Sequence, residues 1–239
     1  MSFTIPGLEQ FRAGDHFSPY LPDQFSQLAR FLLEAPYRAV GPKEQDRVLT
    51  EIVLDSLAPV YLNLIQSDAS PLILDMGCGS GIPVLPLAAT CPHARCVGVD
   101  SSVKRIQYAT EIAARLDLIN ARFLVERIEQ YGARRAGVRN EQVPPKSLQP
   151  LIRSADFVVA RGMAKAPEVL DKAAAFLNPH GRLIIYSTES SATETLSTLS
   201  ERQQAVWNSI LHPYTRSGSD ISYALMECTR KVVSSASAK

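Results

Sequence analysis

The chain has 239 residues and a mass of 26.2 kDa, which suits one domain of ordinary size with room for a small appendage. Hydrophobic residues make up 46% of it and charged residues 21%, which excludes a mostly disordered chain. The formal net charge is +1, so the protein does not coat nucleic acid through bulk charge. A local basic patch would still be enough to bind RNA.

The four cysteines, Cys78, Cys91, Cys96 and Cys228, are too few for a disulfide scaffold and include no CxxC pair. The spacing of Cys91 and Cys96 around His93 fits no standard zinc site, so we expect no metal. The first twenty residues contain no apolar run, and no stretch approaches the roughly 18 apolar residues of a membrane helix. These features predict a cytoplasmic protein with free thiols and no membrane partner.

The N-terminal part of the chain is predicted to be largely helical. Residues 1–20 are rich in Gly, Pro and aromatic residues without a clear period, which predicts an irregular arm. Helical spacing begins near Phe25 and ends at Pro36, and a second helical pattern covers about 44–65. We therefore expect residues 1–66 to form an arm and a helical extension.

From residue 67 to 239 the pattern alternates between short apolar runs and helices. Strands are predicted at 71–74, 95–99, 122–125, 155–160 and 182–186. Such alternation predicts right-handed βαβ units and a mostly parallel sheet with helices on both faces. Residues 204–214 and 221–230 have no helix between them, so we expect an antiparallel edge. The predicted class is α/β, a Rossmann-like domain of about seven strands.

A glycine-rich segment, DMGCGSG at 75–81, stands where the first of these strands meets its helix. Gly77, Gly79 and Gly81 permit positive φ and a close approach of a ligand to the backbone. Asp100 ends the next strand, 19 residues after Gly81, where a carboxylate can accept hydrogen bonds from two ribose hydroxyls. Dinucleotide enzymes use GxGxxG, whereas Ile82 stands here at the third glycine position, which speaks against a nucleotide-dependent oxidoreductase. The alternative is an ordinary tight turn beside a buried acid, without a ligand site.

The GxGxG form resembles the loop of class I S-adenosylmethionine-dependent methyltransferases. The motifs around it resemble the RsmG (GidB) family of bacterial ribosomal RNA guanine-7 methyltransferases over about residues 50–185. The matching segments are LDSL at 54–57, DMGCGSGIPVLPL at 75–87, DSSVKR at 100–105, LDLIN at 116–120, RIE at 127–129 and VARG at 159–162. The resemblance implies a Rossmann-like methyltransferase fold, S-adenosylmethionine as cofactor, and small-subunit ribosomal RNA or the small ribosomal subunit as substrate.

The resemblance also implies roles for matching positions. Gly77 and Ile82 would line the cofactor through the glycine loop, and Ile128 and Glu129 would border its adenine. Arg161, at the end of the fourth predicted strand, would be a further cofactor contact, with an ion pair to a carboxylate as the alternative. The complete predicted cofactor site is Gly77, Gly79, Gly81, Ile82, Asp100, Ile128, Glu129 and Arg161. No catalytic residue is implied, because guanine N7 has a free lone pair and needs positioning rather than a general base.

This sequence departs from the family pattern more in the segments on the substrate side than in those on the cofactor side. The family's Lys-Gly after the fifth strand is Ser187-Thr188-Glu189 here, and its Arg-His before LDSL is Thr50-Glu51. Residues 131–153 carry five basic residues and one acidic residue, which predicts either a solvated insertion or a surface that contacts RNA. A methyltransferase for another RNA or a small molecule, and a non-catalytic cofactor-binding or RNA-binding relative, therefore stay open. We expect a monomer.

Overall fold

The computed structural model describes residues 3–5, 21–128, 145–216 and 219–231. These residues form one eight-stranded sheet in the order β1-β7-β8-β6-β5-β2-β3-β4. The strands are β1 (Phe3–Ile5), β2 (Leu72–Met76), β3 (Arg95–Asp100), β4 (Ala121–Val125), β5 (Ala155–Arg161), β6 (Leu177–Thr188), β7 (Trp207–Arg216) and β8 (Ser222–Arg230). The α/β class with a mostly parallel sheet is confirmed.

Helices connect the parallel strands and precede them. They are α1 (Leu21–Glu34), α2 (Gln45–Val48), α3 (Ala58–Tyr61), α4 (Val84–Thr90), α5 (Val103–Arg115), α6 (Ala166–Ala173), α7 (Glu189–Thr198) and α8 (Glu201–Val206). Between α2 and α3 the chain continues as a π-helical turn at Leu49–Leu54 and a 3₁₀ turn at Asp55–Leu57, and a further 3₁₀ turn lies at Gln149–Leu151. The predicted second helix is therefore one helical stretch of changing pitch.

Two expectations on strands need correction. The N-terminal arm is not wholly irregular, because β1 pairs in parallel with β7 and adds an eighth strand at the edge of the sheet. The fifth predicted strand is longer than 182–186, since β6 begins at Leu177 and its register against β5 shifts across 178–181. The predicted antiparallel edge is confirmed, since β8 runs antiparallel to both β6 and β7, but residues 204–206 are helical and β7 begins at Trp207.

Alternating side chains of the parallel strands enter apolar cores on opposite faces of the sheet. Ile73 of β2 packs in the core that contains α1 and α4, whereas Leu72 and Leu74 pack in the core that contains α6. All five residues of β2 are buried, as expected of a parallel strand covered on both faces. The N-terminal helices share the first core with α4, and the boundary at residue 66 stays a prediction.

Candidate functional site

The glycine loop after β2 lies at the carboxyl edge of the parallel strands. The backbone N–H groups of Gly77 and Cys78 donate to the carbonyl of Val99 on β3, at 2.8 and 3.1 Å, which anchors the loop. Three of its glycines have positive φ: 74° at Gly77, 54° at Gly79 and 94° at Gly81. Most L side chains avoid this conformation, so the backbone itself requires glycine there.

Packing distinguishes these glycines. A Cβ on Gly77 would lie 2.6 Å from Cγ of Met163, and one on Gly81 would lie 2.3 Å from Cδ1 of Leu85. A Cβ on Gly79 would meet no atom within 4 Å. Close internal packing therefore excludes side chains at the first and third glycines, whereas the middle glycine borders open space that a ligand can occupy.

Asp100 lies beside the middle glycine, as predicted from its place at the end of β3. Its Oδ2 accepts a hydrogen bond from the backbone N–H of Gly79 at 3.0 Å, and its Oδ1 accepts one from Ser102 at 2.8 Å. The carboxylate is partly exposed, so it can also receive hydrogen bonds from a ligand in the open space. The structure thus brings the glycine loop and the strand-end acid together.

Asp75 is a further site residue to which sequence reasoning gave no role. Its side chain is fully buried, and its Oδ2 accepts from the backbone N–H of Val84 at 3.1 Å. Its Oδ1 is buried without a hydrogen-bond partner in the described part of the chain. Burial, and to a smaller extent the charge of Asp100, raises the pKa of Asp75 to about 8. Its place as the acid that opens the glycine segment was the sequence signal that could have identified it.

The other residues predicted to contact the cofactor do not all lie in the glycine loop. Ile82 follows the loop and is partly buried against the core on the α1 side. Ile128 is buried in the other core, which also contains Val99 of β3. Glu129 lies outside the described residues. Burial raises the pKa of the Cys78 thiol well above its ordinary value, so this loop cysteine remains a neutral thiol.

Arg161 ends β5, but its guanidinium is directed toward the helical stretch before β2. It donates to the backbone carbonyls of Ile52 and Glu51 at 3.1 and 2.9 Å, and to Oγ of Ser56 at 3.3 Å. Its Nη2 also lies 2.9 Å from Oδ2 of Asp55. In this structure Arg161 therefore forms an ion pair with a carboxylate, which was the alternative expectation. Its contact with a cofactor stays a prediction.

Asp55 is the centre of a buried polar cluster that sequence reasoning did not identify as such. The residue is 1% exposed. Besides Arg161, it accepts two hydrogen bonds from the guanidinium of Arg216, at 2.6 and 2.9 Å, and one from the hydroxyl of Tyr214 at 3.0 Å. This cluster joins the helical stretch to β5 and β7, and the LDSL motif was its only visible signal.

A cavity of about 480 Å³ lies between the carboxyl ends of β5 and β6 and helix α7. Residues of β5, the loop after it, β6 and α7 line the cavity. They are Ala160, Gly162–Pro167, Val169, Ile185–Ser187, Ser191, Glu194, Thr195 and Thr198. Met163 belongs to this lining and also lies against Gly77. The cavity is therefore adjacent to the glycine loop.

The segment after α1 covers the glycine loop from the other side. The hydroxyl oxygen of Tyr37 lies 3.0 Å from Oγ of Ser80. The ammonium of Lys104 lies 4.9 Å from the centre of the Tyr37 ring and donates to the carbonyl of Pro36 at 3.3 Å. Lys104 thus has intramolecular partners that hold this segment beside the loop.

The described residues also bear on metal binding and on membrane insertion. They contain no cluster of three or more histidine, cysteine or acidic side chains placed to hold a metal ion. None of the helices in the described ranges is long and apolar enough to span a membrane. The four cysteines are buried free thiols.

Solved structures share this fold at low sequence identity. A SAM-dependent methyltransferase from Aquifex aeolicus superposes with a TM-score of 0.52 at 14% identity, covering 73% of this chain and 91% of that one. TrmN from Thermus thermophilus superposes with a TM-score of 0.53 at 18% identity, covering 77% and 53%. The fold of this chain, with its glycine loop and strand-end acid, is that of the class I S-adenosylmethionine-dependent methyltransferases.

The sequence comparisons identify the family. The family model for GidB, described as rRNA small subunit methyltransferase G, matches residues 23–210. The chain therefore belongs to this family. It is 29% identical over 177 residues to the ribosomal RNA small subunit methyltransferase G of Streptococcus agalactiae serotype V, covering 73% of this chain and 68% of the relative. It is 30% identical over 151 residues to the protein of that name from Prochlorococcus marinus, and there it spans only 55% of the relative.

Proposed function

We propose that this protein transfers the methyl group of S-adenosylmethionine to ring nitrogen 7 of a guanine in small-subunit ribosomal RNA. The observation that carries the proposal is the open space at Gly79, bordered by Asp100 and lying in a chain of the GidB family. Relatives named as ribosomal RNA small subunit methyltransferases support the same substrate.

The residues of the site fit this cofactor. Asp100 can accept hydrogen bonds from ribose hydroxyls, because its partly exposed carboxylate borders the open space at Gly79. Ile128 supplies an apolar neighbour for the adenine, and Glu129 stays the predicted polar one. When bound, the cofactor supplies an electrophilic methyl group on a sulfonium sulfur.

The reaction depends little on general acid or base catalysis. Guanine N7 attacks through a free lone pair, so the protein contributes alignment of the nitrogen with the methyl group and exclusion of water. Methylation leaves the purine cationic, and a nearby carboxylate stabilises the charge as it develops. The target guanine has to leave its stack or lie in a loop to reach the site.

A second candidate is a methyltransferase of the same fold acting on another RNA or on a small molecule. The favouring observation is that Ser187, the first residue of the segment that replaces the family's Lys-Gly, lines the cavity beside the glycine loop. We further propose a cytoplasmic monomer that uses no metal, with residues 1–66 as an extension of the methyltransferase domain.

The test is methyl transfer from labelled S-adenosylmethionine to small ribosomal subunits and their naked RNA, both from cells lacking the family's enzyme. Mass spectrometry of the nucleosides should show stoichiometric 7-methylguanosine. Absence of transfer, with cofactor binding intact, would refute the ribosomal substrate. Gly79→Val serves as the cofactor-site control, matched by Gly41→Val, because Gly41 is also open but does not have a positive φ.

A further inference from the structure

The cavity between β5, β6 and α7 is lined on one side by polar side chains of α7, and on the other by apolar and polar residues of the two strands and of the loop after β5. Ser191, Glu194, Thr195 and Thr198 follow helical i, i+3, i+4, i+7 spacing, so they share one face of α7, and that face lines the cavity. Ala192, the residue after Ser191, is buried, so α7 packs on the protein through a face adjacent to the one that lines the cavity. Ser191, Glu194 and Thr198 are exposed, so the polar side of the cavity is accessible to a ligand from solvent.

The other side of the cavity offers apolar surface for a flat aromatic ring. Met163, Val169 and Ile185 contribute apolar side chains, and small residues of the loop after β5 lie between them. The polar residues on this side are Lys165, Tyr186 and Ser187. The volume of about 480 Å³ lies within the roughly 300–1,000 Å³ of small-ligand sites, which combine apolar walls with a few polar groups. A nucleobase has this character, because its faces are apolar and its edge forms hydrogen bonds.

Glu194 provides the only carboxylate of the lining among the described residues. Within the described ranges its carboxylate forms no hydrogen bond or ion pair, and the residue is exposed, so the group is available to a ligand. A carboxylate only accepts hydrogen bonds and can receive two parallel N–H donors. It therefore selects a ring edge that carries two adjacent donors.

We infer that Glu194 recognises the target guanine through its N1–H and exocyclic amine, and so determines base specificity. This inference rests on the proposed function. Guanine is the standard base with two adjacent donors on its Watson–Crick edge, whereas adenine presents an acceptor there beside one amine. The edge that binds Glu194 is opposite to N7 in the purine, so N7 points away from α7.

This orientation agrees with the position of the cofactor loop. Met163 lies between the cavity and Gly77, so the side of the cavity away from α7 is the side next to the glycine loop. A guanine held by Glu194 on α7 would therefore present N7 toward the predicted methyl donor. As N7 becomes methylated, the purine gains positive charge and N1–H becomes a stronger donor. The hydrogen bonds to Glu194 then strengthen in the transition state, which lowers the barrier.

Glu194→Gln tests the inference with Glu201→Gln as the matched control on α8, outside the cavity. Methyl transfer to small ribosomal subunits should fall roughly 10- to 100-fold in kcat/KM for Glu194→Gln, the loss expected for a charge-assisted hydrogen-bond pair. Affinity for S-adenosylhomocysteine and thermal stability should stay as in the wild type. Glu201→Gln should stay within two-fold in every assay.

Nucleotide binding separates recognition from a merely structural effect. With S-adenosylhomocysteine present, NMR titrations should show the wild type preferring guanosine monophosphate over inosine monophosphate, which lacks the amine, and over adenosine monophosphate. The amide of Glu194→Gln matches the donor–acceptor edge of adenine, so the guanine-to-adenine preference should fall by at least ten-fold.

The outcomes distinguish the two proposals. If the wild type forms 7-methylguanosine and Glu194→Gln matches it in rate and in nucleotide preference, the role of Glu194 is refuted and the proposed function stands. If the wild type methylates no ribosomal RNA but prefers guanosine monophosphate through Glu194, the guanine pocket stands and the ribosomal substrate is refuted. If neither transfer nor preference is found, both are refuted.

Discussion

Replacement of Asp55 by Asn tests the polar cluster that joins the helical stretch to the sheet. The carboxylate is 1% exposed and lies within 2.9 Å of both Arg161 and Arg216, whose side chains are only 18% and 14% exposed. An amide of the same size removes the charge and leaves two largely buried guanidinium groups without an anionic partner. Breaking a buried ion pair by removing one member costs about 3–5 kcal/mol.

This loss is large relative to the total stability of a domain, which is typically about 5–15 kcal/mol. For a chain of this size it corresponds to a fall in Tm of roughly 6–20 °C. Urea unfolding followed by circular dichroism measures it, and the matched control is Glu111→Gln. Glu111 pairs with Arg115 at 2.5 Å, but both side chains are about half exposed, so that change should cost no more than about 1 kcal/mol. A loss below about 1 kcal/mol for Asp55→Asn would refute the reasoning.

Three further predictions concern the site. Gly79→Val should weaken S-adenosylmethionine binding at least ten-fold in calorimetry, because it strains a positive φ of 54° and fills the open space. Unchanged affinity would show that the cofactor does not bind at Gly79. The raised pKa of Asp75, about 8, means that the native state holds a proton which the unfolded chain releases near pH 4. Stability should therefore fall as pH rises from about 4 to 8, and the wild-type minus Asp75→Asn difference in unfolding free energy should fall over that window; a pH-independent difference would contradict the shift. Charge reversal of Arg134, Arg135 and Arg139, which lie outside the described residues, should weaken RNA binding and flatten its salt dependence, whereas an unchanged salt slope would indicate a solvated insertion.

The sequence predicted the middle of the sheet well because the central parallel strands, such as β2, are buried on both faces, whereas β4 at the edge is only partly buried. The apolar run at 71–74 could form only a core strand, and β2 is buried throughout. The three-residue β1 was missed, since a strand this short has no readable period and forms only by pairing with β7. Pitch changes between α2 and α3 were equally invisible, because a single π or 3₁₀ turn is too short to alter the apolar spacing of the whole helical stretch.

The contact between the glycine loop and Asp100 could be predicted because it depends on segments that are local in sequence to two strand ends. The glycine loop and Asp100 follow directly after neighbouring strands, so their contact follows from strand order alone. The buried state of Asp75 and the cavity beside α7 depend on contacts between distant segments. Nothing in the residues ESSATETLST indicates that one face of this helix lines a cavity.

Arg161 shows how one strand-end position serves both the fold and the site. Its partner Asp55 also binds Arg216, so a single carboxylate fixes the ends of β5 and β7 relative to the helical stretch. The residue that follows, Gly162, has a φ of 63°, lines the cavity and begins the loop that carries Met163 to Gly77. Because Arg161 holds the start of this loop, we expect a change at Asp55 to shift Met163, which lies between Gly77 and the cavity. The LDSL segment can thus influence catalysis without touching either ligand.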